Sequence, residues 1–498
     1  MKFKLPSSTY NWISLTGAVI ALISLFMIIF LFAISYFLDR GGSYLGLVIY
    51  ILLPSFLIVG LILIPIGMIK NFKKKKDGES KLPLIDLNQV SHRNAFMIFI
   101  SGTILFLFLS AIGSYEAFHY SESTDFCGTV CHSVMKPEFI AYQNSAHARV
   151  RCVECHVGTG ADWYVKSKLS GLYQVYAVLM ENYPRPIPTP ISNLRPARET
   201  CEECHWPEKF YERKLRLEKH FLPDQENTEW DISLTMKIGA SHSAKGLEEG
   251  IHWHINPDVE IYFASLDDKE QKIPWVKYVN KKTLDEKIYI NENLEFSKKM
   301  LDSLKIRKMD CIDCHNRPSH VYNPPAFFVN NALASGIIPK ELPEIKNLCM
   351  EICTEDFPTT DSAIVFIEST IKDFYEENYP EIFSSNYSLV EQAILGLNEE
   401  FQKNIFPEMK VKWDAYPNNI GHLEFNGCFR CHSDEHFNQD GEVISKDCNL
   451  CHSINAQGTE ENMQIAKINE SLEFIHPEDI DEEWKEGVCI DCHTGLNP

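Results

Sequence analysis

Three long runs of apolar residues dominate the first 120 positions of the chain. They cover about residues 12–38, 45–69 and 95–112, and the last continues more weakly to residue 118. A helix of roughly 20 apolar residues crosses a bilayer, whereas the apolar part of a cleaved signal peptide is only about 7–15 residues long. Uninterrupted runs of this length are also unusual for buried helices of soluble proteins. The pattern therefore predicts three transmembrane helices.

Basic residues between these runs predict the orientation. The link between the first two runs carries Asp39 and Arg40. The link between the second and third carries seven basic residues, Lys70, Lys73, Lys74, Lys75, Lys76, Lys81 and Arg93. Cytoplasmic loops are enriched in Lys and Arg. We therefore expect the N-terminus in the cytoplasm and everything after the third helix in the periplasm of a bacterium, attached to the inner membrane.

Beyond residue 120 the hydrophobic pattern predicts shorter elements. Residues 161–180 read as an amphipathic helix, and the proline-rich stretch 183–190 cannot be helical. One small β insertion is predicted from three strand-like segments, residues 230–238, 260–266 and 273–279. Residues 325–410 look helical and polar, as a spacer would. The expected fold class is mainly α, with a periplasmic domain of low regular secondary structure.

Charge divides the chain in the same place as hydropathy. The 498 residues carry 47 basic and 68 acidic side chains, a formal charge of −21. Residues 1–120 hold 10 basic and 5 acidic groups, which leaves −26 for residues 121–498. Phosphate contacts require clustered Lys and Arg, so this acidic surface argues against nucleic acid as a partner.

The spacing of the cysteines indicates the chemistry of the protein. Six Cys-x-x-Cys-His motifs are present, Cys152/Cys155/His156, Cys201/Cys204/His205, Cys311/Cys314/His315, Cys428/Cys431/His432, Cys448/Cys451/His452 and Cys489/Cys492/His493. A seventh, Cys127/Cys131/His132, has one extra residue between its thiols. The motif is typical of c-type haem attachment, in which two thiols bond one porphyrin and the adjacent His binds its iron. Zinc ribbons or a disulfide scaffold are the alternatives, but every Cys-x-x-Cys here is followed by His.

Two cysteines fall outside these motifs. Cys349 and Cys353 have the spacing of the first motif, but Thr354 stands where the His would be. Free thiols or a local disulfide are favoured, and an eighth haem with an unusual ligand is the alternative.

Seven haems require further axial ligands. Ten histidines outside the motifs can reach the periplasmic domain, His119, His147, His220, His242, His252, His254, His320, His422, His436 and His476. We select His147, His254, His320, His422, His436 and His476 as candidate iron ligands, since bis-histidine ligation suits low-potential electron transfer. Met135, three residues after His132, is a candidate ligand of the first haem, and an apolar filler is the alternative.

The first three motifs also carry a family resemblance. Residues 114–215 resemble the NapC/NirT family of membrane-anchored multihaem quinol dehydrogenases in the segments FCGTVCHSVMKPEF, SAHARVRCVECHVGTGADWYVKSKLSGLYQVY and RPARETCEECHWPEKFY. The combination of three predicted transmembrane spans and seven motifs resembles the ImcH-type inner-membrane quinol oxidases of metal-reducing bacteria more closely still. Beyond residue 215 the likeness rests on haem number and length.

The resemblance implies a quinol site at the membrane surface beside the first haem, with Met135 bound to that iron. It also implies a lysine and an acidic residue on the helix after the second motif. Lys168 stands at the lysine position, although an interfacial side chain without a catalytic role is the alternative. Gln174 stands at the acidic position, and a neutral amide cannot accept a proton. Glu116 and Glu138 are therefore candidate proton acceptors.

These features predict five parts. They are a membrane anchor (1–120), a NapC/NirT-like domain with haems 1–3 (121–215), a β-containing insertion (216–310), haem 4 with a helical spacer (311–410) and a C-terminal domain with haems 5–7 (411–498).

The predicted function is a menaquinol dehydrogenase of anaerobic or extracellular respiration, a quinol:cytochrome c oxidoreductase with seven covalently bound haem c groups. Its expected partners are the membrane quinol pool and a periplasmic c-type cytochrome or terminal reductase; a homo-oligomer is compatible with the sequence. The alternatives are a terminal reductase of a nitrogen or sulfur oxyanion and a subunit that receives electrons from a membrane partner. No Cys-x-x-Cys-Lys motif of the nitrite reductase type is present.

Overall fold

The computed structural model describes residues 9–38, 52–74, 86–130, 132–158, 161–189, 196–207, 210, 212–239, 249–493 and 495. The chain forms two compact units. The first unit comprises Met1–Met135 with Arg151–Val153, and the second comprises Lys136–Val150 with Glu154–Pro498. Three described helices are long and apolar enough to cross a membrane, as the hydrophobic runs predict. Residues 45–51 of the predicted second span lie outside the described residues.

The helices are numbered here in chain order. They are α1 (Trp12–Leu38), α2 (Leu53–Lys74), α3 (Val90–Ser121), α4 (Thr124–Thr129), α5 (His132–Gln143), α6 (Cys152–His156), α7 (Ala161–Leu179), α8 (Ala197–Cys201), α9 (Lys298–Leu301), α10 (Cys311–Cys314), α11 (Pro325–Ala334), α12 (Ile345–Thr354), α13 (Thr360–Asn378), α14 (Pro380–Ser385) and α15 (Tyr387–Asn404).

Helices α1 and α2 pack closely because small residues face each other. A Cβ atom added at Gly17 would lie 2.6 Å from the carbonyl oxygen of Gly60, and one added at Gly60 would lie 2.7 Å from the backbone of Ala21. The Ser14 hydroxyl donates a 2.9 Å hydrogen bond to the carbonyl of Ile64. Close backbone approach through small residues is typical of membrane helices, so the packing supports the membrane interpretation of these two helices.

The strands form two antiparallel sheets. The first has the order β1 (Arg213–Phe221), β2 (Glu229–Lys237), β8 (His452–Gly458) and β9 (Gln464–Ile465). The second has the order β6 (Arg307–Lys308), β3 (Val259–Ala264), β4 (Trp275–Asn280), β5 (Glu286–Asn291) and β7 (His436–Phe437). The three predicted strands are present as β2, β3 and β4.

The prediction of a single β insertion was wrong. Each sheet is completed by strands from the region of the last three motifs, since β8 pairs with β2 and β7 pairs with β5. Local pattern identifies a strand but not a partner more than 140 residues away in the chain. The segments 216–310 and 411–498 therefore share their sheets.

The largest hydrophobic core lies between α11, α12, α13 and α15. On α13 the fully buried side chains recur every fourth residue, Ala363, Ile367, Ile371 and Tyr375, which places them on one helical face. Thr359 and Ser362 form a capping box that starts this helix and satisfies backbone donors of its first turn. The polar character read from residues 325–410 belongs to the outer faces of these helices.

Cys349 and Cys353 lie in this core as free thiols. Burial raises the pKa of the Cys349 thiol to about 12 and raises that of Cys353 as well. Thiols held protonated in an apolar core are unreactive, so the structure favours the free-thiol interpretation over a disulfide.

Lys346 is buried beside these thiols with an exposed fraction of 0%. Its Nζ has no hydrogen-bond partner among the described residues, and burial lowers its pKa to about 8. The lysine pKa in an unfolded chain is about 10.4, and one pKa unit corresponds to about 1.4 kcal/mol. The buried charge therefore costs about 3 kcal/mol of stability below pH 8.

We expect Lys346→Met to raise the free energy of unfolding at pH 7 by about 2 kcal/mol. Because the folded-state pKa is lowered, the wild-type chain gains stability between about pH 8 and pH 10.4, and the variant lacks this gain. Urea unfolding followed by circular dichroism measures both effects. The control is Lys372→Met, since Lys372 pairs with Glu368 on the outer face of α13. A variant with unchanged or lower stability would contradict the expectation.

Candidate multihaem centre

Each described motif begins a single tight turn. Motif thiols lie on α6, α8 and α10 and on the 3-10 turns Gly427–Arg430, Cys448–Leu450 and Cys489–Asp491. In four motifs the backbone N–H of the His donates to the carbonyl of the first Cys at 2.8–3.0 Å, at His205, His315, His432 and His493. The turn thus brings two thiols and one imidazole to the same point of the chain. Among the residues that the structure describes, no three or more His, Cys, Asp or Glu side chains form a metal-binding group by themselves.

Five of the predicted attachment thiols lie at the surface of the protein chain. Three of them are the second Cys of their motif, Cys155, Cys204 and Cys492, and the other two are the first, Cys428 and Cys448. The assignment of these thiols to haem stays a prediction from the motif spacing.

Six motif histidines each face a second histidine of the second unit. The ring centroids lie 5.8–6.3 Å apart in the pairs His156–His320, His205–His147, His315–His252, His432–His254, His452–His422 and His493–His476. A metal–nitrogen bond to imidazole is about 2 Å long. With the ring centre about 1 Å behind the nitrogen, two rings on opposite sides of one iron lie about 6 Å apart. The pairs therefore fit bis-histidine haem iron.

Hydrogen bonds at Nδ1 orient these rings. In four of the non-motif histidines Nδ1 lies 2.9–3.1 Å from a backbone carbonyl, which accepts its hydrogen. The pairs are His147 with Pro318, His252 with Ile238, His254 with Ile251 and His320 with Glu138. This tautomer leaves Nε2 unprotonated and available to a metal. Burial also lowers the pKa of His254 and His320 to about 4, so both imidazoles are in the neutral form that metal binding requires.

Four of the selected non-motif histidines are placed as iron ligation requires, and a fifth, His422, completes another pair through its ring contact with His452. His436 is placed differently. It lies fully buried in β7, and its Nε2 is 2.8 Å from the carbonyl of Ile273. That hydrogen bond occupies the Nε2 atom of His436, so the structure does not support His436 as an iron ligand.

His252 was not selected from the sequence but faces a motif histidine. It lies on the 3-10 turn Ile251–Ile255, with His254 two residues later, and faces His315 at 6.3 Å with nearly parallel rings. Spacing from a motif does not mark this residue, because the nearest Cys is more than 45 residues away. The His-Trp-His pattern was the available signal. His242 lies outside the described residues.

The first motif is only partly described. Cys131 lies outside the described residues, and nothing is described of the His132 side chain. Met135 is half-buried on α5. Within the first unit Cys127 lies beside Cys152 of the second motif, and this contact lowers the pKa of the Cys152 thiol to about 7.

Thiols of consecutive motifs are neighbours elsewhere too. Cys201 and Cys311 contact each other, which lowers the pKa of the first thiol and raises that of the second. Burial raises the pKa of Cys314 and of Cys451, and the nearby Cys428 raises both further. Cys448 acts on Cys489 in the same way. The attachment points of motifs three to seven therefore follow one another in space in chain order.

One short segment, residues 315–320, contacts candidate ligands of three motifs. His315 belongs to the fourth motif, the Pro318 carbonyl holds His147, and His320 faces His156. Asn316 anchors this segment by donating to the Pro417 carbonyl at 2.8 Å and accepting from the Asn419 backbone at 3.0 Å. Residues 315–320 therefore position candidate ligands of the second, third and fourth motifs together.

Comparison with known proteins places this arrangement in a family. Residues 89–186 match the NapC/NirT cytochrome c family, N-terminal region. The chain is 41% identical over 490 residues to the cytochrome c-type protein ImcH of Geobacter sulfurreducens, covering 97% of this chain and 95% of that protein. It belongs to the NapC/NirT cytochrome c family. A second relative is the cytochrome c-type protein NrfH of Wolinella succinogenes, 28% identical over 121 residues, 23% of this chain and 68% of that protein. No solved structure matches.

Membership in the NapC/NirT family establishes a membrane-anchored c-type cytochrome with covalently bound haem c. Members of this family pass electrons from the quinol pool to periplasmic partners. The matched region contains α3, the first two motifs and α7. It therefore includes all four candidate quinol-site residues.

The NapC/NirT region places those four residues on three helices. Glu116 lies on α3 and Glu138 on α5, while Lys168 and Gln174 share α7. Gln174 is exposed, and the Lys168 side chain is not among the described ones. Burial raises the pKa of the Glu138 carboxyl. The charge of Arg317 and a hydrogen bond from Tyr322 oppose this shift but do not cancel it.

Proposed function

We propose that this protein oxidises menaquinol at the periplasmic face of the inner membrane and delivers electrons, one at a time, through seven haem c groups to a periplasmic cytochrome or terminal reductase. The observation that carries the proposal is the set of six histidine pairs with ring centroids 5.8–6.3 Å apart. The N-terminus and the link between α2 and α3 lie in the cytoplasm in this proposal, as the lysine distribution favours.

In this proposal each pair holds one haem, whose thiols come from the same motif. The haem irons supply one-electron chemistry, and the protein supplies ligands, orientation and a dry environment. Paired histidines occupy both axial positions, so six of the seven sites have no open position for a substrate. This favours electron transfer over the terminal reductase alternative. His132 and Met135 hold the first haem, with Met135 as the family-implied ligand.

The neighbouring thiols support a route in chain order. Contacts between Cys127 and Cys152 join the first two attachment points, and His147, five residues before Cys152, faces His205 of the third. The later attachment points adjoin one another through the thiol contacts described above. Because transfer between haems requires short separations, we propose entry at the first motif and exit at the seventh.

Helix α7 is suited to lie at the membrane surface. Its exposed apolar residues are Leu169, Leu172, Tyr173, Val175, Tyr176 and Leu179. An amphipathic helix with such a face lies in the interface plane of a bilayer, and Tyr is enriched at that depth. Quinol diffusing in the membrane would then meet Lys168 on the same helix. The two protons of quinol require an acceptor, and Gln174 cannot serve, so we propose Glu116 or Glu138 for that role.

The chain around the seventh motif, the proposed exit for electrons, is acidic. Residues 460–493 contain 11 acidic and 2 basic side chains, and Asp479 and Glu483 are exposed near the His476–His493 pair. Charge complementarity raises association rates. A partner with a basic face is therefore proposed to dock there.

We expect Asp479→Lys with Glu483→Lys to slow electron delivery to a lysine-rich cytochrome c by about tenfold at low salt, and to weaken its salt dependence. Stopped-flow oxidation of the dithionite-reduced protein measures the rate. The control is Glu376→Lys with Glu377→Lys on the exposed face of α13. If both double variants slow electron delivery equally, the cytochrome docks at another surface.

Anaerobic mixing of the detergent-solubilised protein with a menaquinol analogue tests the proposed function. Rapid growth of the reduced-haem α-band is the expected result. No reduction by quinol, with full reduction by dithionite, would instead support a subunit that receives electrons from a partner. The mass of the intact chain, measured by mass spectrometry, tests independently whether seven haems are covalently bound.

A further inference from the structure

The planes of the paired histidine rings differ from one pair to another. In two of the six pairs the rings are nearly parallel, at 7° for His252–His315 and 20° for His422–His452. The rings of the other four pairs are inclined at 43°, 77°, 86° and 43°. Every pair consists of two imidazoles, so the ligand type does not explain the difference. Something around the rings must set their planes.

A phenylalanine lies face to face with the non-motif histidine in both nearly parallel pairs. The centre of the Phe210 ring is 4.5 Å from that of His252, at an interplanar angle of 24°. The centre of the Phe429 ring is 4.4 Å from that of His422, at 18°. Both phenylalanines are half-buried. Close face contact between two flat rings favours a parallel arrangement, so each phenylalanine restricts the rotation of its imidazole.

The other four non-motif histidines lack this contact. Among the described residues, His147 and His320 have ring contacts only with the motif histidines that they face. The aromatic rings next to His254 and His476 approach edge-on, at 76° and 85°. Face-to-face stacking and nearly parallel ligand planes therefore occur together in two pairs, and neither occurs in the other four.

The contacts of Nδ1 show how strongly each histidine depends on its phenylalanine. Nδ1 of His252 lies 3.1 Å from a backbone carbonyl, so Phe210 is a second restraint on that ring. Nδ1 of His422 lies 3.8 Å from Sγ of Cys489 instead, and sulfur is a weak hydrogen-bonding partner. The orientation of His422 therefore depends on Phe429 more than that of His252 depends on Phe210.

Both phenylalanines belong to the segment of the preceding motif. Phe210 stands five residues after the His of the third motif, and Phe429 stands between the two Cys of the fifth. The histidines on which they stack face the motif histidines of the fourth and sixth motifs. In both cases the segment of one motif restrains the candidate iron ligand of the next motif in the chain.

The angle between two axial imidazoles affects the iron directly. Each ring overlaps through its π system with one iron d orbital, which the plane of the ring selects. Parallel rings act on the same orbital and perpendicular rings on different ones, so contacts that orient the rings tune the metal. Electron paramagnetic resonance of low-spin ferric haem detects the difference. Parallel imidazoles give a well-resolved rhombic spectrum, and strongly inclined imidazoles give a single prominent low-field feature.

We propose that Phe210 and Phe429 are positioning residues that set the planes of the non-motif imidazoles on the fourth and sixth haems. Each holds its histidine nearly parallel to the motif histidine, which gives these two irons rhombic spectra. A ligand held at one angle in both oxidation states lowers the reorganisation that each electron transfer requires. This inference rests on the bis-histidine haem binding of the proposed function and is independent of quinol as donor.

The test compares Phe429→Leu and Phe210→Leu with Phe474→Leu. Leucine is apolar but presents no flat face to the imidazole. Phe474 is the matched control, because its ring lies 6.3 Å from that of His476 at 85° and therefore makes an edge contact. The mass of each intact variant first establishes that it carries the same number of haems as the wild type. Electron paramagnetic resonance of the oxidised proteins then compares their ligand planes.

We expect the wild-type protein to show two rhombic components. Phe429→Leu loses one of them, about half of the rhombic intensity, and a more anisotropic component replaces it. Phe210→Leu changes the other component by less, because the Nδ1 hydrogen bond of His252 remains. Phe429→Tyr keeps the wild-type spectrum, since tyrosine retains the flat ring, and Phe474→Leu keeps it as well.

Two outcomes would overturn the proposal. Unchanged spectra in both Phe429→Leu and Phe210→Leu would show that other contacts set the ligand planes. The same loss in Phe474→Leu would show a general disturbance of the haem sites. If Phe429→Leu loses haem, Phe210→Leu decides, because Phe210 lies outside every motif. Failure of quinol reduction leaves these spectra interpretable, since they are recorded on the oxidised protein.

Discussion

Replacing His252 with methionine is expected to raise the reduction potential of one haem, the fourth, by about 0.1 V out of the roughly 0.8 V range that axial ligands cover. The reason is that His252 faces His315 at a centroid distance of 6.3 Å with an interplanar angle of 7°. A thioether in place of imidazole stabilises the reduced iron. Redox titration with electron paramagnetic resonance should show the loss of one bis-histidine signal.

His436→Gln is the matched control for this variant. His436 is buried more deeply than His252 but bonds the Ile273 carbonyl through Nε2 at 2.8 Å, and glutamine keeps a donor at that position. We expect all potentials to stay unchanged in the control. A shifted haem in His436→Gln with none in His252→Met would exchange the two assignments.

Replacing Lys168 with alanine is expected to lower the rate of haem reduction by menaquinol at least about 100-fold, the range typical of a positioned proton-transfer group. Lys168 lies on α7, whose apolar side chains are exposed. Reduction by dithionite should be unaffected, because the haem ligands lie elsewhere. Stopped-flow measurement of the reduced-haem α-band with both reductants separates the two effects.

Lys166→Ala is the control on the same helix. The Lys166 ammonium lies 4.5 Å from the ring centre of Trp163, so its charge is engaged with a neighbouring aromatic ring. We expect quinol reduction to continue in this variant at close to the wild-type rate. Equal losses in both variants would assign the effect to the membrane contact of α7 and not to a role of Lys168 at the quinol.

The motifs and the helices were predictable from local pattern. Cys-x-x-Cys-His spacing lies within one turn, so the structure adds little to its recognition, and the apolar stripe of α13 recurs every fourth residue. The partner of each motif histidine was harder to predict from the sequence. His147 and His320 are close to a motif in the sequence, and each faces a motif histidine. In both cases that histidine belongs to a motif other than the neighbouring one.

The β-sheets and His252 show where local reasoning stops. Strand β2 is recognisable by itself, but its pairing with β8 joins residues more than 200 positions apart. Likewise His436 stands close to a motif in sequence and His252 stands far from every motif, yet His252 is the one that faces a motif histidine. Only the packing of β7 against β5 assigns His436 to the sheet.

The sequence by itself determined the three apolar runs, the seven Cys-His motifs and the acidic character of residues 121–498, because each depends on neighbouring residues or on composition. The tertiary structure decided which histidines face each other and which thiols adjoin. These depend on distances of roughly 3–6 Å between residues far apart in the chain. Such distances are set by packing and hydrogen bonding, and they have no counterpart in local spacing.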